Sequence, residues 1–309
     1  MNEELLISGI KDENMNREIS ELRQLYLSTI DNNLRIIGEI VGEVQISDSI
    51  PVEQFKNMLD RSSQSLVDKW KSGRKSLRTE IAVKVLPKYP SAVLKTSLMI
   101  DAIINLLDDN LDELMTKEER VLNIVELVRA TAIFNQQPAS NEIKQRISGY
   151  FNKVLCIGIS EILYGGKIKA SGDFSQQLQY LIQCYDCKSL VTDIFFELPL
   201  LELYGNDKRI KDIVSLARIH RAVHQIKKDY RDLEWDIKNH TETPIIILSK
   251  KEGSVGQYMD AMMEHYEKES RKFEPAHFSE GFRTTIERLM ESISEEVDEY
   301  RNEPQNITR

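Results

Sequence analysis

The sequence predicts an all-α fold, a single large helical bundle. Apolar residues recur at three- and four-residue spacings along most of the chain, which is the periodicity of helices with one buried face. Only 8 prolines and 13 glycines interrupt the 309 residues, so we expect helices longer than the average of ~11 to 12 residues. One short run, 244–248, has strand-like composition, but it is too isolated to anchor a sheet.

Composition excludes several classes of function. The 41 basic and 50 acidic residues give a net charge of −9, which disfavours a nucleic-acid or anionic-membrane surface because either requires a basic face. The three cysteines, Cys156, Cys184 and Cys187, are too few for a disulfide framework. No basic segment followed by an apolar run opens the sequence, and no apolar stretch reaches membrane-spanning length. We therefore expect a cytoplasmic protein without a membrane span.

The first half of the chain is expected to begin with a polar leader over residues 1–14 and then to form five helices. Pro51 suits the first turn of the second helix, and Pro87 and Pro90 end the third. The predicted helices lie within residues 17–44, 51–70, 72–87, 92–112 and 117–135.

The second half continues the helical pattern, and the helical domain is expected to extend over residues 15–290. Its predicted helices are 140–164, 172–204 with a break near Pro199, 207–238, and three more separated by Gly253 and Pro275. Residues 291–309 are interpreted as an acidic C-terminal tail, and the run 292–299 as a solvated acidic face.

An acid cluster, Asp108-Asp109-Asn110-Leu111-Asp112, ends the apolar helix 92–112. Carboxylates next to apolar surface are costly unless they are paired or bind a metal. On a helix, Asp108 and Asp112 share one face, about 6 Å apart along the axis. Oxygen ligands of this kind suit magnesium, particularly with a phosphate completing the coordination. The alternative interpretation is a helix end that turns polar as it reaches water.

Three other stretches accompany this cluster in a definite order. The four are Gly73-Arg74-Lys75-Ser76-Leu77-Arg78, the acid cluster, Lys188-Ser189, and Gln225-Ile226-Lys227-Lys228-Asp229-Tyr230-Arg231-Asp232. This series resembles the trans-isoprenyl diphosphate synthases, over about residues 70–250. In that family a Gly-Gly-Lys-Arg-x-Arg-Pro segment precedes an Asp-Asp-x-x-Asp motif, a Lys-Thr pair and a Gln-x-x-Asp-Asp-x-x-Asp motif. The resemblance implies a helical bundle of the isoprenoid-synthase type.

The resemblance also implies a magnesium-dependent prenyltransferase. In that family, magnesium on the two acid motifs binds an allylic prenyl diphosphate and draws off pyrophosphate, and isopentenyl diphosphate attacks the resulting carbocation. The metal ligands implied here are Asp108, Asp109, Asp112, Asp229 and Asp232. The implied diphosphate-binding residues are Lys75, Arg78, Lys188 and Lys228, and Gln225 matches the Gln before the second motif. A homodimer, or a heterodimer with an active synthase, is implied as well.

The departures from the family pattern leave alternatives open. Residues 115–120 replace the family's Arg-Arg-Gly, and Lys228 stands where the second motif has its first Asp. One hypothesis is that Lys228 contacts the diphosphate in place of a magnesium ion. Another is that the site is disabled, so that the protein is a non-catalytic partner or regulatory subunit of a synthase. A class I terpene cyclase is disfavoured, because Asn206-Asp207 lacks the Ser and Glu of that class's second motif.

Three further patterns have simple structural interpretations. The pair Cys184 and Cys187 is interpreted as packed thiols, since no second pair completes a zinc site. His220 and His224 have zinc-like spacing but lack the accompanying Glu, so we expect a partly buried polar pair. The segment Gly165-Gly166-Lys167 is expected to end a helix rather than to bind phosphate.

Overall fold

The computed structural model describes residues 78–111, 141–238, 243–252 and 255–302, and every regular element in these ranges is helical. The prediction of an all-α fold is confirmed for this part of the chain. None of the helices in these ranges combines the length and the apolar composition that crossing a bilayer requires. The predicted helices 17–44, 51–70 and 117–135 lie outside the described residues, as do Lys75 and Asp112.

Ten α-helices form the described structure. In chain order they are α1 (Arg78–Val85), α2 (Ser91–Leu111), α3 (Asn141–Ala170), α4 (Phe174–Ser189), α5 (Asp193–Tyr204), α6 (Ile210–Arg231), α7 (Leu233–Lys238), α8 (Pro244–Glu252), α9 (Gly256–Ser270) and α10 (Glu280–Asn302). Short 3-10 helices cover Leu190–Thr192 and Pro275–His277. The strand-like run 244–248 is therefore helical, with Pro244 at the first position of α8, where a missing N–H costs little.

The chain divides into two compact units, residues 1–84 with 91–138, and residues 85–90 with 139–309. In the first unit, α2 buries one stripe of side chains at helical spacing. The stripe consists of Val93, Ser97, Ile100, Asp101 and Ile104. An acid therefore lies on the buried face of an otherwise apolar helix.

In the second unit, α6 is the central helix and packs against α10, α4, α9 and α5. Its buried side chains include Ile213, Leu216, Val223 and Ile226. Helix α10 presents a continuous apolar stripe with spacings of three and four residues. The stripe consists of Phe282, Ile286, Leu289, Ile293, Val297 and Tyr300. Because this stripe continues to Tyr300, residues 291–302 belong to α10, and the tail predicted to begin at 291 is helical up to Asn302.

The break predicted at Pro199 lies elsewhere. Pro199 is inside α5, and the helix is interrupted earlier, at Leu190–Thr192. A proline in a helix leaves the carbonyl four residues before it without its usual N–H partner. Here that carbonyl belongs to Phe195, and the Tyr89 hydroxyl donates to it at 3.5 Å. Tertiary contacts therefore accommodate Pro199 in a continuous helix.

The helix end predicted at Gly165-Gly166 is also wrong, because α3 continues to Ala170. At Gly165 a Cβ would lie 2.9 Å from Cδ1 of Ile247 in α8, whereas at Gly166 it would meet no atom within 4 Å. Gly165 is thus needed for the close approach of α3 and α8. Asp173 then starts α4 as its N-cap, accepting from the Gln176 backbone N–H at 2.9 Å.

Candidate functional site

Helices α4 and α6 bring Lys188 and Asp229 together although the two residues are 41 positions apart in sequence. The Lys188 ammonium lies 3.0 Å from Oδ2 of Asp229 and 2.6 Å from Oε1 of Glu161 on α3. Tyr185 donates its hydroxyl to the same Asp229 oxygen at 2.8 Å, and Gln225 donates to the other oxygen at 2.6 Å. We call these five residues the Lys188 cluster.

The Lys188 cluster is largely removed from solvent, since the side chains of Lys188 and Asp229 are 15% and 12% exposed. Burial lowers the pKa of Lys188, but the charges of Asp229 and Glu161 outweigh it, and the pKa is raised overall. Burial raises the pKa of Asp229, but Lys188 and the hydrogen bonds to the carboxylate outweigh it, and this pKa is lowered. Both groups are therefore charged at neutral pH.

Asp229 has little capacity for a metal ion in this arrangement. Three protein donors occupy most of the roughly four acceptor positions of its carboxylate. One of these donors is an ammonium, which repels any further cation at the same oxygen. The donor set around Asp229 therefore does not fit the oxygen cage that magnesium requires.

The other residues of the second acid motif lie outside the Lys188 cluster. Lys228 is exposed, since one helical step turns it about 100° away from Asp229. Asp232 caps the end of α6, where its backbone N–H donates to the Lys228 carbonyl at 2.9 Å. Burial and the charges of Asp229 and Asp232 raise the pKa of Asp236, so acids gather at this end of α6. Among the described residues, no group of three His, Cys, Asp or Glu side chains is placed to hold a metal.

Arg78, a predicted diphosphate ligand, is buried within the first unit, with 7% of its surface exposed. It donates to Asp101 at 2.9 Å and to Asn105 at 3.0 Å. The Thr79 backbone N–H and hydroxyl both donate to the second Asp101 oxygen at 3.0 Å. Burial raises the pKa of Asp101, although the Arg78 charge opposes this effect. These bonds join α1 to α2.

The first acid motif lies on the last turn of α2, which contains Asp108 and Asp109 and ends at Leu111. Asp112 and Lys75 are outside the described residues. Magnesium binding at this motif therefore stays a prediction. Asp101 lies two turns earlier and is not among the predicted site residues. Its position among apolar residues that repeat at helical spacing was the signal that could have identified it as a buried acid.

The two histidines with zinc-like spacing face α10. His220 Nε2 is 2.9 Å from the Ser292 hydroxyl, and His224 Nδ1 is 2.9 Å from Glu296 Oε1. Lys227 pairs with Glu296 and with Glu299. The interpretation of the histidines as a polar pair is confirmed, whereas the acidic run 292–299 is only partly solvated.

These contacts have a regular spacing. His220 with Ser292, His224 with Glu296 and Lys227 with Glu299 are all 72 positions apart. A constant offset means that α6 and α10 run parallel and in register over two turns. The pairing was missed in the sequence because its partners come from distant segments.

Neither of the two thiols that the structure describes, Cys184 and Cys187, is in a disulfide. Cys184 is buried, and burial raises the pKa of its thiol to about 12, which suppresses the reactive thiolate. Cys187 is partly exposed. The pair packs within α4, as the interpretation of packed thiols requires.

A cavity of about 830 Å³ lies within the second unit and is bounded by α4, α6, α9 and the segment after α9. Arg218 lines it and is held in a two-point pair with Asp193, with 2.6 Å at each contact. Lys153 approaches the same carboxylate at 3.0 Å. No member of the Lys188 cluster lines this cavity.

Comparison with known proteins gives limited information. No family model and no curated protein matches the chain. Among solved structures, a geranylgeranyl pyrophosphate synthetase from the archaeon Geoglobus acetivorans aligns with 89% of this chain and 99% of its own, at 15% sequence identity and a TM-score of 0.45. A TM-score of this size does not establish a common fold.

Proposed function

We propose that this chain binds an allylic prenyl diphosphate and isopentenyl diphosphate and condenses them with magnesium. The supporting observation is the contact of Asp229 with both Lys188 and Gln225. The resemblance assigned Lys188 to the diphosphate, Asp229 to a metal ion and Gln225 to the position before the second motif, from two separate stretches of sequence. Their meeting in space is what such a site requires.

Lys188 is the residue best placed to act on a diphosphate. An ammonium carries three donors, and Glu161 and Asp229 occupy two of them. In this proposal the third donor is the one that would meet a phosphate oxygen, while both ion pairs are kept. The two carboxylates hold the ammonium in position, so little conformational freedom is lost on binding.

Magnesium is assigned to the first motif alone in this proposal. Asp108 and Asp112, with Asp109 beside them, would hold the ion, which when bound stabilises the charge of the departing pyrophosphate. The Lys188 cluster is assigned a separate role in this proposal, in which its ammonium would contact a diphosphate and balance its charge.

The test is a condensation assay of the purified protein. It combines labelled isopentenyl diphosphate, magnesium and, in separate reactions, dimethylallyl, geranyl or farnesyl diphosphate, followed by sizing of the extracted product. We expect product with at least one primer and a large loss in Lys188→Met. Lys211→Met, at an exposed lysine of α6, is the matched control and should be fully active. Absence of product with every primer would refute the proposal.

A second candidate function is a non-catalytic partner subunit of a prenyl diphosphate synthase. Two observations favour it: Lys228 is exposed at the position of a metal-binding acid, and Asp229 is already bound by three protein donors. The melting temperature separates the two candidates. A working site should be stabilised by magnesium with pyrophosphate, because both bind only the folded protein, and a partner subunit should not respond.

A further inference from the structure

We infer that the Lys188 ammonium takes the place of a metal ion at Asp229, so that this acid provides no metal ligand. The inference rests on the proposed function, because it concerns the second acid motif of the same site. The hypothesis that Lys228 contacts the diphosphate stays a prediction.

The geometry around Asp229 carries this inference. The ammonium lies 3.0 Å from Oδ2, and Glu161 holds the same ammonium at 2.6 Å. A magnesium ion binds carboxylate oxygens at about 2.0–2.1 Å and requires near-octahedral coordination. An ion at Oδ2 would therefore stand next to a fixed positive charge.

The remaining contacts of the carboxylate occupy two more of its roughly four acceptor positions. Tyr185, with 2% of its surface exposed, donates to Oδ2 at 2.8 Å, and Gln225 donates to Oδ1 at 2.6 Å. Both groups are donors in this arrangement and neither supplies a ligand oxygen directed at a shared cation. The Lys188 cluster is thus a complete ion pair with its own hydrogen bonds.

Lys228 does not perform this substitution. It is exposed, one position from Asp229 along α6, and points about 100° away. The cation that neutralises Asp229 is Lys188 of α4, which is close to Asp229 in space but 41 positions away in the sequence. Lys228 is left free to approach a ligand from solution.

The experiment measures metal binding directly. Manganese(II), which favours the same oxygen ligands as magnesium, is titrated into the protein with pyrophosphate, and free ion is followed by electron paramagnetic resonance. We expect Asp229→Asn to bind as many ions as the wild type, with unchanged affinity. Lys188→Met should bind one more ion than the wild type, and the double variant Lys188→Met/Asp229→Asn should lose it.

Two results would overturn the inference: loss of a bound ion in Asp229→Asn, or no additional ion in a folded Lys188→Met. Circular dichroism checks folding, and Lys188→Gln, which keeps a neutral donor, replaces Lys188→Met if that variant is unfolded. The readout is independent of turnover. A protein that makes no prenyl product but shows this binding pattern would refute the proposed function and leave the inference standing.

Discussion

At the scale of single residues, the buried ionisable groups named above either have an opposite charge beside them or are held neutral. Lys188 with Asp229 and Arg78 with Asp101 are of the first kind. His220 is of the second kind, with only 5% of its surface exposed and a serine hydroxyl as its partner. Removing a charge from water is costly, so the environment of each group determines its protonation.

His220 should make stability depend on pH. Burial, only partly opposed by the charge of Glu296, lowers its pKa from 6.5 to about 4. Between these values the unfolded chain binds a proton that the folded protein does not, so stability falls as pH falls through this window. We expect His220→Gln to flatten the decline between pH 6.5 and 5, as measured by urea unfolding at each pH.

The control for this experiment is His277→Gln, since the His277 side chain is 72% exposed. It should leave the slope of the wild type unchanged. Burial raises the pKa of Glu296, but His224 and Lys227 outweigh it and lower this pKa from 4.5 to about 2. Glu296 therefore makes stability depend on pH only below about 4.5, and the measurement stays above pH 5 to avoid its effect. Equal slopes in wild type and His220→Gln would contradict the prediction.

At the scale of helices, the parallel pair α6 and α10 combines an apolar stripe with ionic contacts at its border. The apolar side chains of α10 repeat every three or four residues, and Glu296 lies beside them with its side chain 17% exposed. Its two partners, His224 and Lys227, are both on α6. The acidic residues of 292–299 therefore hold α10 in register with α6, in addition to those that contact solvent.

Replacing Glu296 by glutamine should destabilise the protein by about 1–3 kcal/mol, because the buried Lys227 loses a charged partner. The neighbouring Glu295→Gln is the matched control. Burial and the negative charges of neighbouring acids raise the pKa of Glu295. Loss of the Glu295 charge therefore removes a repulsion and should not reduce stability. The comparison is made by urea unfolding at pH 7, and equal losses in the two variants would refute the assigned role of Glu296.

The adjacent glycines of α3 provide a second test at this scale. Gly166→Ala should raise stability by up to about 1 kcal/mol through helix propensity, since its Cβ would meet open space. Gly165→Leu should lower it by about 1–3 kcal/mol, because the side chain would be forced against Ile247 of α8. Thermal unfolding of both variants checks the prediction, and tolerance of leucine at position 165 would show that α3 and α8 do not need this close approach.

At the scale of the whole molecule, we propose a homodimer, as the resemblance implies. Helix α3 carries two adjacent apolar residues that are unusually exposed, Ile162 at 80% and Leu163 at 50%. Large contiguous apolar patches mark contacts with another chain, and we propose that these two side chains belong to such a contact. A second copy would remove it from water.

Ile162→Glu should therefore convert the dimer to a monomer, because a buried, unpaired carboxylate opposes association. Size-exclusion chromatography with light scattering measures the mass directly. Lys144→Glu, at an exposed position of the same helix, controls for the change of charge and should keep the dimer. A wild-type mass equal to one chain would refute the prediction.

The helices were predictable from the sequence because their signal is local. The periodic pattern predicted the helix that contains α6, whereas Pro275 marked a helix after it but residues from 291 of α10 were predicted as a tail. Pro244 and Asp173 lie at helix starts where their chemistry is favourable. The predictions at Pro199 and Gly165 failed because the contacts that decide the structure there are not local. A hydrogen bond from Tyr89 and the approach of Ile247 come from distant segments, and a local pattern contains no information about them.

For the candidate site, too, some features were predictable from the sequence and others depended on tertiary contacts. By itself the sequence determined the all-α class and the set of charged residues that the resemblance brings together, since composition, spacing and order are properties of the chain. Only the tertiary structure decided that Lys188 pairs with Asp229, and that Lys228, the residue next to Asp229 on α6, is exposed. Adjacent residues of a helix point about 100° apart, and the packing of α6 against its neighbours determines which of them becomes buried beside a charge.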